Sequence, residues 1–293
     1  MSTAPIAEAI RVREGIAPPR DTRTLRFLYR TLPGRILLRL LSARWVSRLV
    51  GAFMESRLSK PLIGRFVKKN GIDLSEFESD GFRCFNDCFS RKIRDGLRPT
   101  AEDPDALIAP CDGLLSAYRL EGDTLLPVKQ SAFTLSSLLK NEALSRRFAG
   151  GVCLVFRLCV THYHRYAYPA DAEKDENIFL RGRLHTVRPV ALRARPVFTE
   201  NCREYTLLST ERFGTLLQME VGALLVGKIK NLHGKRTVAR GEEKGMFLYG
   251  GSTVILLVER DRVAFPEEFF KHTEEGLETP VRMGEAIGLP ITE

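Results

Sequence analysis

The spacing of the apolar residues changes at Arg98-Pro99, and this change constrains the fold more than any other feature of the chain. From Leu25 to Val67 they cluster at helical spacing, in Ile36-Leu37-Leu38-Arg39-Leu40-Leu41, Trp45-Val46, Leu49-Val50 and Phe53-Met54, with arginines breaking each cluster. On one continuous rod Arg35 and Arg39 would lie nearly opposite Arg44 and Arg48, so a break near Ser42 into two amphipathic pieces is predicted. Beyond Pro99 the runs shorten and many gain β-branched residues, as in Ala106 to Ile108, Val152 to Val160, Tyr205 to Leu208, Leu216 to Val226 and Thr253 to Val258. One further helix is expected over Leu135 to Phe148, opened by Thr134 as N-cap, and Asp171 to Asn177 reads as a charge-rich loop. The expected fold class is therefore α+β, with N-terminal amphipathic helices followed by a mainly β body. A loose leader over residues 1–20, holding Pro5, Pro18 and Pro19, precedes a helical region over 21–99, and the β body fills 100–293.

Charge is regional. Residues 20–69 hold thirteen Arg or Lys against Asp21 and Glu55, a net of +11, whereas the whole chain carries +9. Everything outside that window is thus slightly acidic. Apolar faces backed by arginines suit the plane of a membrane interface, while no run is long and uncharged enough to cross a bilayer. The same pattern fits a helical hairpin packed on its own core. A nucleic-acid partner is not expected, because no ordered aromatic stacking motif accompanies the arginines. The six cysteines (84, 88, 111, 153, 159 and 202) form no repeating framework, and residues 1–19 lack the apolar stretch of a secretory signal, so reduced thiols are expected. Cys84 and Cys88 have no second Cys or His pair at zinc-finger spacing, and no metal is expected.

Three short segments could carry chemistry. Gly250-Gly251-Ser252-Thr253 runs directly into the apolar stretch Val254 to Val258. Gly-Gly-Ser before a strand is ordinarily just a turn, yet glycines relax the backbone around a carbonyl and let a nucleophile approach it. A serine hydroxyl immediately downstream can attack that carbonyl if a base removes its proton. Val152 to His164 reads as a buried strand whose alternation puts Leu154, Phe156, Leu158, Val160, His162 and His164 on one face, so that two histidines end an apolar stripe. Either histidine fits a hydrogen-bonded strand end or a general base. Ala109-Pro110-Cys111-Asp112-Gly113 is a tight turn that needs no function, but Asp112 could orient a histidine as the third member of a Ser/His/Asp arrangement. A serine hydrolase would fit that set too, although no Gly-x-Ser-x-Gly elbow occurs.

Taken in order, these pieces resemble the phosphatidylserine decarboxylase family. Phe85-Asn86-Asp-Cys-Phe89-Ser-Arg91-Lys-Ile-Arg94 with Arg98-Pro99 looks like its entry motif, and Pro110-Cys-Asp112-Gly113 like its aspartate turn. Tyr163-His164-Arg165 with Pro169 resembles its histidine motif. Glu204-Tyr to Phe213-Gly214, Val221-Gly222-Ala223 and Val226-Gly227 are similar to its later strands, and Gly241-Glu242-Glu243-Lys-Gly245 leading to Gly250-Gly251-Ser252-Thr253 to its processing site. The resemblance implies self-cleavage between Gly251 and Ser252 into a large β chain and a small α chain. Ser252 would attack the Gly251 carbonyl in an N-to-O acyl shift, and β-elimination would leave a dehydroalanine that hydrolyses to a covalent pyruvoyl cofactor. That group would form a Schiff base with the amine of phosphatidylserine and act as electron sink for decarboxylation to phosphatidylethanolamine and CO2. Asp112 would orient the base and His164 would carry base and acid roles. Many family members have a second histidine three residues after the first, where this chain has Ala167; His162 is a candidate substitute. The implied partners are phosphatidylserine, an anionic membrane surface and the chain's own two fragments, with a homodimer left open, and the implied location is peripheral, on the cytoplasmic face of the cell membrane. The alternatives are a related pyruvoyl decarboxylase of another aminoacyl phospholipid or amino acid, and a non-enzymatic protein that binds anionic membranes.

Overall fold

The computed structural model describes residues 10–18, 22–41, 44–78, 81–121, 126–128, 131–182, 197–222, 228–249 and 252–291. Gly250 and Gly251, Ala223, Val226 and Gly227, and Ser42 at the predicted break lie outside them. The basic region is helical as expected, in the segments Arg23–Arg30, Leu32–Leu41, Arg44–Glu55 and Leu62–Asn70. It has a break that apolar spacing did not signal, at Thr31. This residue takes an extended conformation, its hydroxyl accepts from the Gly34 amide at 3.1 Å, and Pro33 in the new first turn has no amide hydrogen to satisfy. Gly34 is required there, because a Cβ would fall 2.1 Å from the Phe27 carbonyl oxygen where the two helices meet.

The β body is organised by one antiparallel sheet. Its path runs Arg236–Val238, Ala172–Lys174, Arg203–Ser209, Thr215–Val221, Ser252–Val258, Val152–Leu158, Gly113–Arg119 and Thr279–Val281, with Ile178–Leu180 also paired to Arg203–Ser209. The four central strands are buried along nearly their whole length, which explains their continuous rather than alternating apolar runs. Both faces are covered. One packs Cys153, Val155, Leu217, Met219, Ile255 and Leu257 under Leu28, Tyr29 and Leu38 of the N-terminal helices and under Leu135 to Phe148. The other packs Leu154, Phe156, Val254, Leu256 and Leu216 against Tyr166, Tyr168, Phe247 and the helix Glu267–Glu274. A small sheet ordered Ile229–Asn231, Glu243–Phe247, Arg165–Ala167 lies over this second face and carries the histidine and processing motifs to it.

Three local expectations change. Leu135 to Phe148 forms two helices, Leu135–Leu139 and Glu142–Phe148, because Lys140 is left-handed (φ 50) and Asn141 opens a new helix by accepting from the Leu144 amide. The charged stretch 171–177 contains the strand Ala172–Lys174, whose Lys174 buries its stem while its ammonium donates to the Asp175 carbonyl. Described residues of the leader are docked rather than loose. Ile10 is buried, Ile16 exchanges two backbone hydrogen bonds with Glu278, and Arg13 pairs with Glu285.

Candidate active site

Ser252 begins a central strand, paired with Leu158 on one side, and lies on the same sheet face as Val254 and Leu256. Its side chain is wholly buried and its Oγ has no hydrogen-bond partner. A buried hydroxyl without a partner is costly, so such a group points to chemistry or to a partner formed in another state. The adjoining Thr253 faces the opposite core and its Oγ1 is unpaired as well.

The histidines do not continue the strand. Val152–Leu158 ends at Leu158, and a turn follows in which the His162 amide donates to the Cys159 carbonyl and the Cys159 amide donates to His162 Nδ1. The predicted stripe therefore stops at Leu158, and Val160, His162 and His164 are placed by the turn. His164 is fully buried and lies against the Phe89 ring with centroids 4.0 Å apart. Its Nδ1 sits 2.9 Å from the His162 carbonyl oxygen. Since a carbonyl only accepts, Nδ1 carries the hydrogen and Nε2 the lone pair, and Nε2 has no partner. Burial, reinforced by the Arg91 charge, pushes the His164 pKa down to about 3, so the imidazole is neutral in ordinary buffers. His162 is also shifted down by burial, with Asp112 pulling the other way.

The entry motif holds this arrangement together residue by residue. Asn86 Oδ1 accepts from the Tyr249 amide at 3.1 Å, fixing the chain three residues ahead of Ser252. The Tyr249 ring meets Phe85 and Phe89 edge-on, at 4.9 and 5.6 Å, and Phe85 in turn meets Phe66 of the Leu62–Asn70 helix at 4.8 Å. Arg91 is buried, lies 4.2 Å over the Phe77 ring, and donates to the carbonyls of Cys88, Thr161 and His162. Arg165 donates to the Ser90 carbonyl and pairs with Glu243. The sequence marked these residues only as a motif. Asn86, Phe89 and Arg91 gain individual roles once the fold brings 85–91, 159–165 and 249 together.

Asp112 is placed differently from the expectation. It accepts a two-pronged ion pair from Arg98, at 2.9 and 2.7 Å, and a bond from the Met283 amide. Among the described contacts it bonds neither histidine, and the group orienting His164 is the His162 carbonyl. Asp112 and His162 do share a cavity of about 470 Å3 with Arg13, Arg98 and Arg282. No group of His, Cys, Asp or Glu side chains among the described residues is arranged to hold a metal ion. Cys84 and Cys88 are both buried free thiols.

A strand-start serine sealed from water, in a fold that also buries a neutral imidazole, suits a proenzyme that acts on its own backbone, whereas a hydrolase must admit both substrate and water. A sequence profile of phosphatidylserine decarboxylase matches residues 85–289. The phosphatidylserine decarboxylase proenzyme 2 of Clostridium acetobutylicum is 41% identical over 265 residues, covering 90% of this chain and 91% of that one. The phosphatidylserine decarboxylase proenzymes of Ruminiclostridium cellulolyticum and Clostridium novyi are 38% and 36% identical over 273 residues, with at least 91% of each chain covered. The chain belongs to the phosphatidylserine decarboxylase family.

Proposed function

We propose that this chain is a self-processing phosphatidylserine decarboxylase, acting at Ser252 on a lipid presented at an anionic membrane surface. The observation that carries the reading is Ser252 itself, buried at the start of a central strand with an unpaired Oγ, directly after the Gly-Gly pair. The site suits a pyruvoyl group made from that residue. Ser252 and His164 are both enclosed and both offer an unpaired polar atom, so a reactive carbonyl there is shielded from water. When present, the group's ketone supplies an electron sink for the pair left when CO2 departs. His164 moves protons at residue 252: as a base when the processed ester is eliminated, and as an acid that returns a proton to the α-carbon during turnover. Asp112, fixed by Arg98, supplies negative potential on the His162 side. After cutting, the strand from Ser252 stays between Thr215–Val221 and Val152–Leu158, so the two chains remain one body.

Membrane binding is assigned to the N-terminal helices. Leu32, Ile36, Leu49, Phe53 and Leu58 are exposed there, beside exposed Arg35, Arg57, Lys60 and Arg65. No helix among the described residues is long and apolar enough to cross a membrane; the attachment proposed is peripheral, through these amphipathic helices, at the cytoplasmic face. The test is CO2 release from vesicles of phosphatidylserine, of other aminoacyl phospholipids, and from free serine. Release from phosphatidylserine alone supports the reading, and preference for another headgroup or a soluble amino acid overturns it.

A further inference from the structure

The strand Thr215–Val221 crosses the middle of the sheet, yet it carries Gln218 and Glu220 among apolar neighbours, and both are 0% exposed. A buried carboxylate has to be balanced, and Lys244 does so. Its ammonium, likewise 0% exposed, lies 2.7 Å from Glu220 Oε2 and 2.9 Å from Asn231 Oδ1. Asn231 donates on to Glu204 at 2.8 Å, and Tyr166 donates to Asn231 at 3.2 Å. The other carboxylate oxygen, Glu220 Oε1, has no partner.

Register places Glu220 and the nucleophile on one face of the sheet. Glu220 pairs directly with Val254, so their side chains share a sheet face, and Ser252 lies two residues before Val254 on that same face. Glu220 and Ser252 are thus diagonal neighbours on adjacent strands, roughly 7–8 Å apart, a gap the two side chains close only by extending toward each other, since their polar atoms are not bonded in this structure. One holds a buried donor that lacks an acceptor and the other a buried acceptor that lacks a donor. On the same strand face, two residues before Glu220, Gln218 Nε2 donates to the Ala167 carbonyl at 3.2 Å.

We infer that Glu220, paired with Lys244, is the base that takes the Ser252 hydroxyl proton in self-processing, and so replaces the second histidine absent at Ala167. This rests on the self-processing reading and divides its proton transfers between two residues. An oxygen lone pair of Ser252 attacks the Gly251 carbonyl carbon while the Oγ–H bond breaks and the proton passes to Glu220 Oε1. As the tetrahedral carbon collapses, the C–N bond breaks with its electron pair left on the Ser252 nitrogen, which takes the proton back from Glu220. The products are an ester and an amine, the carboxylate is restored, and no co-reactant is consumed. His164 then acts on the ester, and later in turnover.

Hydroxylamine tests this, because it cuts an ester but not an amide. Glu220→Gln is expected to mature about 100-fold more slowly and to stay whole in hydroxylamine. His164→Ala is expected to accumulate ester, so hydroxylamine should release a fragment starting at Ser252. Because Glu220→Gln leaves Lys244 buried without its anion, the pair Glu220→Gln/Lys244→Met is run beside it, with folding checked by circular dichroism and melting. It is expected to fold, stay uncut and resist hydroxylamine. Maturation of the folded double variant at the unsubstituted rate overturns the inference, as does cleavage of either Glu220 variant by hydroxylamine to the extent seen with His164→Ala. Failure of the self-processing reading looks different: the unsubstituted chain would then stay whole.

Discussion

Replacing Asn86 by alanine tests whether the entry motif sets the geometry of self-processing. Asn86 is 5% exposed, and its Oδ1 is the acceptor for the Tyr249 amide. Removing it leaves a backbone donor without its partner, at a cost of about 1–3 kcal/mol. The ring of Tyr249 still packs on Phe85 and Phe89, so the segment keeps its apolar anchor while its backbone loses its fixed position. If the cost falls on the conformation from which the chain is cut, maturation slows by roughly 5- to 150-fold. The assay follows fragment formation by gel after synthesis in vitro, with the melting temperature measured on Ser252→Ala backgrounds so that cutting does not confuse it. Asn86→Asp keeps an acceptor at the same place and should mature faster than Asn86→Ala. Maturation of Asn86→Ala at the unsubstituted rate would refute the reasoning, since the Tyr249 bond would then have no bearing on the reactive geometry.

Three further outcomes are expected. His164→Ala should lower both maturation and decarboxylation per cut chain by about 100-fold or more, whereas His162→Ala, which keeps the carbonyl that orients His164, should leave both near the unsubstituted rates; the reverse result would exchange the two roles. Because burial holds the His164 pKa down to about 3, below the value near 6.5 of an unfolded histidine, the unfolded chain binds the extra proton first as pH falls. This group should therefore reduce stability by about 1.4 kcal/mol per pH unit between roughly pH 6 and pH 3, and His164→Gln should flatten a urea-unfolding profile over that window; an unchanged slope would contradict the neutral, buried imidazole. Binding to vesicles should need anionic lipid and weaken as salt rises, given the net +11 of residues 20–69. Salt-insensitive binding to neutral vesicles would instead assign attachment to apolar insertion.

The architecture was legible where one rule dominated. Helical spacing marked the N-terminal segments, and continuous apolar runs marked the strands Val152–Leu158, Thr215–Val221 and Ser252–Val258. Local hydrogen bonds decided the rest. The breaks at Thr31 and Lys140 come from caps that a hydropathy pattern does not register. Periodicity also failed at Leu158, where it carried the strand on through two histidines that a turn in fact places. Within the site, Ser252 and His164 stood out by residue type and company. The partners that hold them, Asn86, Phe89 and Arg91, lie more than 60 residues away in the chain and only the fold joins them. Glu220 left a readable signal all the same, because a carboxylate inside an apolar strand requires a buried counter-charge. What the sequence withheld was which cation supplies it, and Lys244 is 24 residues further on.

The most direct test of the account is the intact mass of the purified chain. Two fragments are predicted, 1–251 and the 42 residues 252–293, the smaller one lighter than its encoded mass by one ammonia and blocked to Edman degradation. Ser252→Ala should give one uncut chain. A purified, folded, unsubstituted protein that stays at its full encoded mass, with serine retained at position 252, would contradict the account.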